Sequence, residues 1–186
     1  MDWFTSDLHI GHDREFIWKA RGFSSIEEHD TEILKRWNSI VQPEDTVYIL
    51  GDLCLGRDES EWNRIFFNLN GYKEVIGGNH DTDNKIDKYV FDYNMTYNGL
   101  ASYYKYNKRK RFYLSHYPTL VGNHEEKRFL WNLSGHTHSN NKFENGDKCI
   151  YNVAMDAHNC TPISIEQIIK DIEKYHQAFL QNKEKI

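Results

Sequence analysis

Five short clusters stand out for what their side chains can bind: Ser6-Asp7-Leu8-His9, Gly51-Asp52, Gly78-Asn79-His80-Asp81, Ser115-His116 and Gly135-His136-Thr137-His138. They offer imidazole, carboxylate and amide oxygen without any thiolate, a mixture that suits manganese, iron, zinc or nickel rather than a closed structural zinc site. The donors outnumber the places around one ion. Two ions about 3.5–4 Å apart, bridged by a carboxylate, would use them all and suit in-line displacement at phosphorus. Taken singly, each cluster has a plainer reading, because Asp, Asn and His often sit at turns for local hydrogen bonding. Five such coincidences in one chain favour a single site.

Each cluster follows a short apolar run of strand character: Trp3 to Thr5, Thr46 to Leu50, Glu74 to Ile76, Phe112 to Leu114 and Leu130 to Leu133. A further run spans Cys149 to Val153. Between them lie amphipathic helices. Ser25 and Glu28 form a capping box before an apolar stripe of Ile33, Leu34, Trp37 and Val41. Trp62, Ile65, Phe66 and Leu69 mark a helix from about Ser60 to Leu69, and Ile165, Ile168, Ile169 and Ile172 mark one from Ser164. Strands alternating with helices imply an α/β fold, whose sites form beyond the carboxyl ends of the strands. Gly51, Gly78 and Gly135 are expected to allow the tight turns that swing the ligands inward. The tyrosine-rich segment Tyr89 to Lys108 reads equally as a strand pair, a loop or an aromatic lid.

The 186 residues suit a single domain over 1–186, with no repeat or linker. No apolar run approaches a membrane span and no secretory signal opens the chain, so a cytoplasmic location and no membrane partner are expected. Cys54, Cys149 and Cys160 form neither a C-x-x-C pair nor a disulfide framework and read as reduced thiols. The formal net charge of -5 argues against broad adhesion to nucleic acid, although Lys105 to Arg111 is a local basic run. That run reads as a nucleic-acid contact or as an exposed hairpin turn.

In their order, D-x-H, G-D, G-N-H-D, a lone histidine and G-H-x-H resemble the signature of the calcineurin-like metallophosphoesterases. Thr5 to His12, Asn152 to Asp156 and Thr161 to Ser164 are similar to the small bacterial and phage members. The resemblance implies two packed mixed β-sheets flanked by helices, a four-layer αββα sandwich. It implies that Asp7, His9 and His138 hold one divalent ion, that Asn79, His116 and His136 hold the other, and that Asp52 bridges them. Manganese heads the candidate metals, with iron, zinc, nickel and magnesium open. A metal-bridging hydroxide would attack phosphorus, and His80 would meet the leaving-group oxygen. Many members have an aspartate to orient that histidine where this chain has Leu55, so Asp81 or another carboxylate is expected to orient it, Asp81 foremost, or the histidine is held less firmly and the enzyme is slower. The pattern of protein serine/threonine phosphatases is absent.

The expected activity is hydrolysis of a small-molecule phosphodiester or phosphomonoester, such as a nucleotide. A nuclease and a non-catalytic scaffold on the same fold are the alternatives. His12 reads as a substrate contact or a helix cap, and Arg57, Arg14, Lys127 and Arg128 read as phosphate clamps or solvated surface, with Arg57 foremost. Tyr117 and Asn123 could line a leaving-group pocket, and His158 could approach the site from the tail. His29, His124 and His176 fall outside the motifs. The oligomeric state is not legible.

Overall fold

The computed structural model describes residues 1–56, 58–121, 130–144 and 149–183. The order begins β1 (Asp2–Thr5), α1 (Glu15–Trp18), α2 (Ile26–Ile40), β2 (Thr46–Leu50), α3 (Glu59–Phe66), β3 (Tyr72–Ile76), α4 (Asp83–Phe91) and β4 (Thr96–Tyr97). It continues through β5 (Ala101–Lys105), β6 (Arg111–Ser115), β7 (Trp131–Ser134) and β8 (Ile150–Asn152). A 3₁₀ turn at Met155–His158, β9 (Ile163–Ser164) and α5 (Ile165–Lys183) complete it.

The strands form two mixed sheets. One has the order β4-β3-β2-β1-β9, with β1 to β4 parallel and β9 antiparallel to β1. The other has the order β5-β6-β7-β8, an antiparallel hairpin extended by two parallel strands. Two mixed sheets with flanking helices meet the α/β expectation from the sequence.

Alternation along β2 shows how the layers pack. Val47 and Ile49 share one apolar cluster with Ile33 and Trp37 of α2, Trp62 and Ile65 of α3, and Tyr89 of α4. Leu50, with Tyr48 packed beside it, belongs instead with Phe112, Leu114, Leu133 and Tyr151 of the second sheet. Successive side chains of a strand point to opposite faces, so the first sheet buries its helices on one side and its partner sheet on the other. Ile165 and Ile168 of α5 enter the inter-sheet cluster. Each such fully buried aliphatic or aromatic side chain contributes about 1.5–3 kcal/mol.

Helix α2 starts at its expected cap, with one shift in the capping box, and α3, capped by Asp58, ends at Phe66 rather than Leu69. The Ser25 hydroxyl accepts from the Glu28 amide, but the Glu28 carboxylate returns to the Ser24 amide rather than to Ser25. Tyr89 to Lys108, open in the sequence between a strand pair, a loop and a lid, contains the end of α4 and the strands β4 and β5, with β5 pairing to β6. Lys105 to Arg111 forms the turn of that hairpin. Among the described residues, no helix is long and apolar enough to cross a membrane.

The two sheets meet at the carboxyl ends of their parallel strands. Ser6, just past β1, bridges Ala154, just past β8, and the Met155 amide donates to the Ser6 carbonyl at 3.1 Å. The loops that leave β1, β2, β3, β6 and β7 therefore open around one place.

Candidate metal centre

Those loops bring Asp7, His9, Asp52, Asn79, His116, His136 and His138 together. Ring nitrogens Nε2 of His9 and His138 lie 3.1 Å apart, at 3.8 and 3.7 Å from Asp7 Oδ1. Nε2 of His116 lies 2.9 Å from Asn79 Oδ1, 3.2 Å from His136 Nδ1 and 3.5 Å from Asp52 Oδ2. Asp52 Oδ2 is also 3.9 Å from His9 Nε2, which puts it between the two groups. Asp7, His9 and His138 form one set of donors within reach of a common ion, and Asp7, Asp52 and His116 form another.

What happens behind these atoms is equally specific. Three imidazoles are held from the back at Nδ1: His9 by His12 at 3.2 Å, His138 by Asp156 at 3.1 Å, and His116 by the Leu50 carbonyl at 2.9 Å. Each thereby turns Nε2 toward the centre, the arrangement by which outer partners fix a ligand's ring and tautomer. Asp7 spends Oδ2 on the Ser6 hydroxyl and the His136 amide, the latter at 2.9 Å. Asp7 Oδ1 is buried with no hydrogen-bond partner. A buried anionic oxygen without a donor is costly, and a cation at that position removes the cost.

Electrostatics act unequally on the donors. Burial pushes the His9 and His136 rings below the ordinary imidazole range, and burial with the neighbouring His9 and His80 brings His12 to about 4. Burial pushes the Asp7 carboxyl up, but the surrounding histidines His9, His116 and His138 outweigh it and hold the group low. The Asp156 carboxylate bonded to it draws the His138 ring the other way, above the ordinary imidazole range; metal ligands bind as neutral imidazoles, so an ion there would compete with that proton.

The backbone is bent to achieve this. Asp7, His9, Asp52, His136 and His138 all adopt left-handed conformations, with φ of 57°, 54°, 56°, 69° and 49°. Such conformations cost non-glycine residues about 1–2 kcal/mol each and cluster at functional sites. The glycines divide the work differently from the sequence expectation. Only Gly51 needs its freedom of φ, at 91°, whereas Gly78 and Gly135 serve by close approach. A side chain at Gly78 would strike the Asp52 amide at 2.6 Å, and one at Gly135 would overlap Ser6 Oγ and Asp7 Oδ2.

His80 belongs to neither donor set but stands beside both. Its amide donates to Asp52 Oδ1 at 2.9 Å, while its ring, 39% exposed, packs edge-on to His9 with Nε2 3.9 Å from Asp52 Oδ2. The expectation that Asp81 orients this ring is corrected. Asp81 receives the amides of Asp52, Gly78 and Leu53 at 2.7, 2.9 and 3.3 Å and the Tyr89 hydroxyl at 2.9 Å. It therefore ties the loops after β2 and β3 together instead. Lys85 does the same from outside, donating to the carbonyls of Cys54 and His80 at 2.7 and 2.8 Å.

Other sequence candidates fall into place. The helix-cap reading of His12 is overturned, since Arg14 is the N-cap of α1 and the His12 ring serves His9. Tyr117, 51% exposed, packs against His136 with centroids 4.6 Å apart, beside the centre. His158 is away from it, buried against Tyr151 and bonded to the Asn152 carbonyl. Arg57, Asn123, His124, Lys127 and Arg128 lie outside the described residues. Two partners escaped the motif reading. Arg21 forks onto Asp156 at 2.8 and 3.0 Å and donates to the carbonyls of Asp7 and Leu8. Burial pushes the Asp156 carboxyl up, but His138 and Arg21 outweigh it and hold the group well below the carboxylate range. Asp156 closes the family-like segment Asn152 to Asp156, whereas nothing local marks Arg21.

Comparison with known proteins agrees with this geometry. The sequence profile of the calcineurin-like phosphoesterases matches residues 3–119. An uncharacterised protein of Methanocaldococcus jannaschii is 32% identical over 177 residues, spanning 92% of this chain and 91% of its own. The gene 66 protein of Mycobacterium phage L5 is 34% identical over 162 residues, spanning 74% and 77%. A solved structure of a protein of unknown function from Aquifex aeolicus superposes with a TM-score of 0.65 at 28% identity, covering 91% of this chain and 98% of that one.

Proposed function

Because the chain belongs to the calcineurin-like phosphoesterase family, we propose that it hydrolyses a small-molecule phosphate ester with two divalent ions held on either side of Asp52. The observation that carries this reading is Asp7 Oδ1, buried without a donor and facing the Nε2 atoms of His9 and His138. The residues fit the ions. Asp7, His9 and His138 would hold one, Asn79, His116 and His136 the other, and Asp52 both. Bound there, the ions supply Lewis acidity, which makes water a nucleophile near neutral pH and offsets charge on the phosphoryl oxygens. Manganese suits this nitrogen and oxygen set, as do iron, zinc and nickel.

The chain's own residues do the rest. His12, Asp156 and the Leu50 carbonyl hold the ligand rings in register. Asp81 and Lys85 fix the loops that carry Asp52 and His80. His80, partly exposed beside Asp52, would give a proton to the departing oxygen, a contribution of about 10²- to 10⁴-fold.

Hydrolysis of bis(p-nitrophenyl) phosphate and p-nitrophenyl phosphate by chelator-treated protein tests the proposal, with Mn²⁺, Ni²⁺, Zn²⁺ or Mg²⁺ restored. Metal should restore turnover, Asp52→Asn should abolish it, and His80→Asn should lower kcat by about 10²- to 10⁴-fold. Turnover indifferent to chelation, or none with two ions bound, would reject it, the latter in favour of a scaffold.

A further inference from the structure

We propose that the cleft between the amino ends of β6 and β7 and the helix α5 is a second binding site, for a small organic anion with an aromatic body. It is separate from the metal centre. From Arg111 to His116 the chain runs the length of β6, about 16 Å at ~3.3 Å per residue. The cleft has a volume of about 330 Å³, within the range of small-molecule pockets.

Its walls and rim differ in character. Phe112, Trp131, Ile169 and Ile172 make the walls. Arg109, Lys110 and Arg111 line it as cations, opposed by the carboxylate of Glu173. Lys110 pairs with Glu173 at 2.5 Å, which leaves two guanidinium groups without a carboxylate partner among the described residues. In a chain of net charge -5 that local excess of positive charge is unusual. The backbone beneath is fixed, because Asn107 Oδ1 accepts the amides of Arg109 and Lys110 at 2.8 Å each. Guanidinium forks suit carboxylate, sulfonate or phosphate oxygens, and an indole face with aliphatic neighbours suits a flat apolar body. This assigns the basic hairpin, which the ester hydrolysis does not use, to a ligand rather than to nucleic acid.

Fluorescence titration of the full chain with 8-anilinonaphthalene-1-sulfonate, with and without EDTA, tests the proposal. One probe should bind per chain irrespective of EDTA, and AMP should displace it where adenosine or inorganic phosphate at the same concentration does not. The double variant Arg109→Gln/Arg111→Gln, on the surface, should weaken binding about tenfold or more while leaving ester hydrolysis unchanged. Trp131→Ala should weaken it independently through the wall. Unchanged binding in the arginine variant would overturn the inference, as would equal displacement by adenosine. So would a single-stranded oligonucleotide that binds more tightly than AMP and is released by the arginine substitutions.

Discussion

Asp7 divides its carboxylate: one oxygen is satisfied by Ser6 and His136, and the other is left to the centre. Asp7→Asn keeps the shape but places an uncharged amide there, so metal content should fall and turnover with it, measurable by equilibrium dialysis and bis(p-nitrophenyl) phosphate hydrolysis. The left-handed ligands make a second, sharper prediction. His136 has φ of 69° and needs no side chain for its backbone contacts. His136→Gly should therefore be about 1 kcal/mol more stable to urea than His136→Ala, because only glycine adopts that φ without penalty. Both variants should lose activity. Equal stability would mean that the backbone at this position is not strained.

Among the elements, α4 does the most that its sequence conceals. Tyr89 and Lys85, one helical turn apart, fasten the loops after β2 and β3 through Asp81 and through two carbonyls. Tyr89→Phe removes the hydroxyl from a buried site that includes Cys54 and should cost about 1–2 kcal/mol. It should lower kcat more than it changes KM, because Asp52 and His80 would be held less firmly; urea unfolding and steady-state kinetics read the two effects. Helices α2, α3 and α5 were legible because a regular apolar stripe writes their buried face into the sequence. In α4 the stripe is short, Ile86, Tyr89 and Val90 within nine residues, and of these only Tyr89 is fully buried, so it stands out less against the polar residues around it. The ligand loops were legible for a different reason: donor residues stood directly after apolar runs, so local spacing named them. Their supports were not. Arg21 and Asp156 meet across 135 residues, and Asp81 reaches Asp52 across 29, separations that carry no local signal. Leu55 suggested a missing orienting carboxylate, and Asp81 answered a question about backbone geometry instead.

At the scale of the molecule, the centre and the join between the sheets are one structure, so charge and metal there act on overall stability. Asp156 is the clearest case. Its carboxyl lies below the ordinary value of 3.8 in the folded chain, so its contribution is full above that value and is lost as pH falls through the folded one. Metal-free protein should lose stability as pH drops below about 4, and Asp156→Asn should flatten that part of the curve in thermal unfolding. Ions bound as proposed would act in the same direction at neutral pH, since a ligand of the folded state at 100 times its Kd adds about 2.7 kcal/mol. EDTA should therefore lower Tm reversibly. Seven side chains from five loops are proposed to make one centre for two ions. Anomalous diffraction from crystals soaked in Mn²⁺ tests it directly. Two peaks are expected about 3.5–4 Å apart on either side of Asp52, and none in crystals of Asp52→Asn. A single peak, or manganese bound elsewhere while this site stays empty, would contradict it.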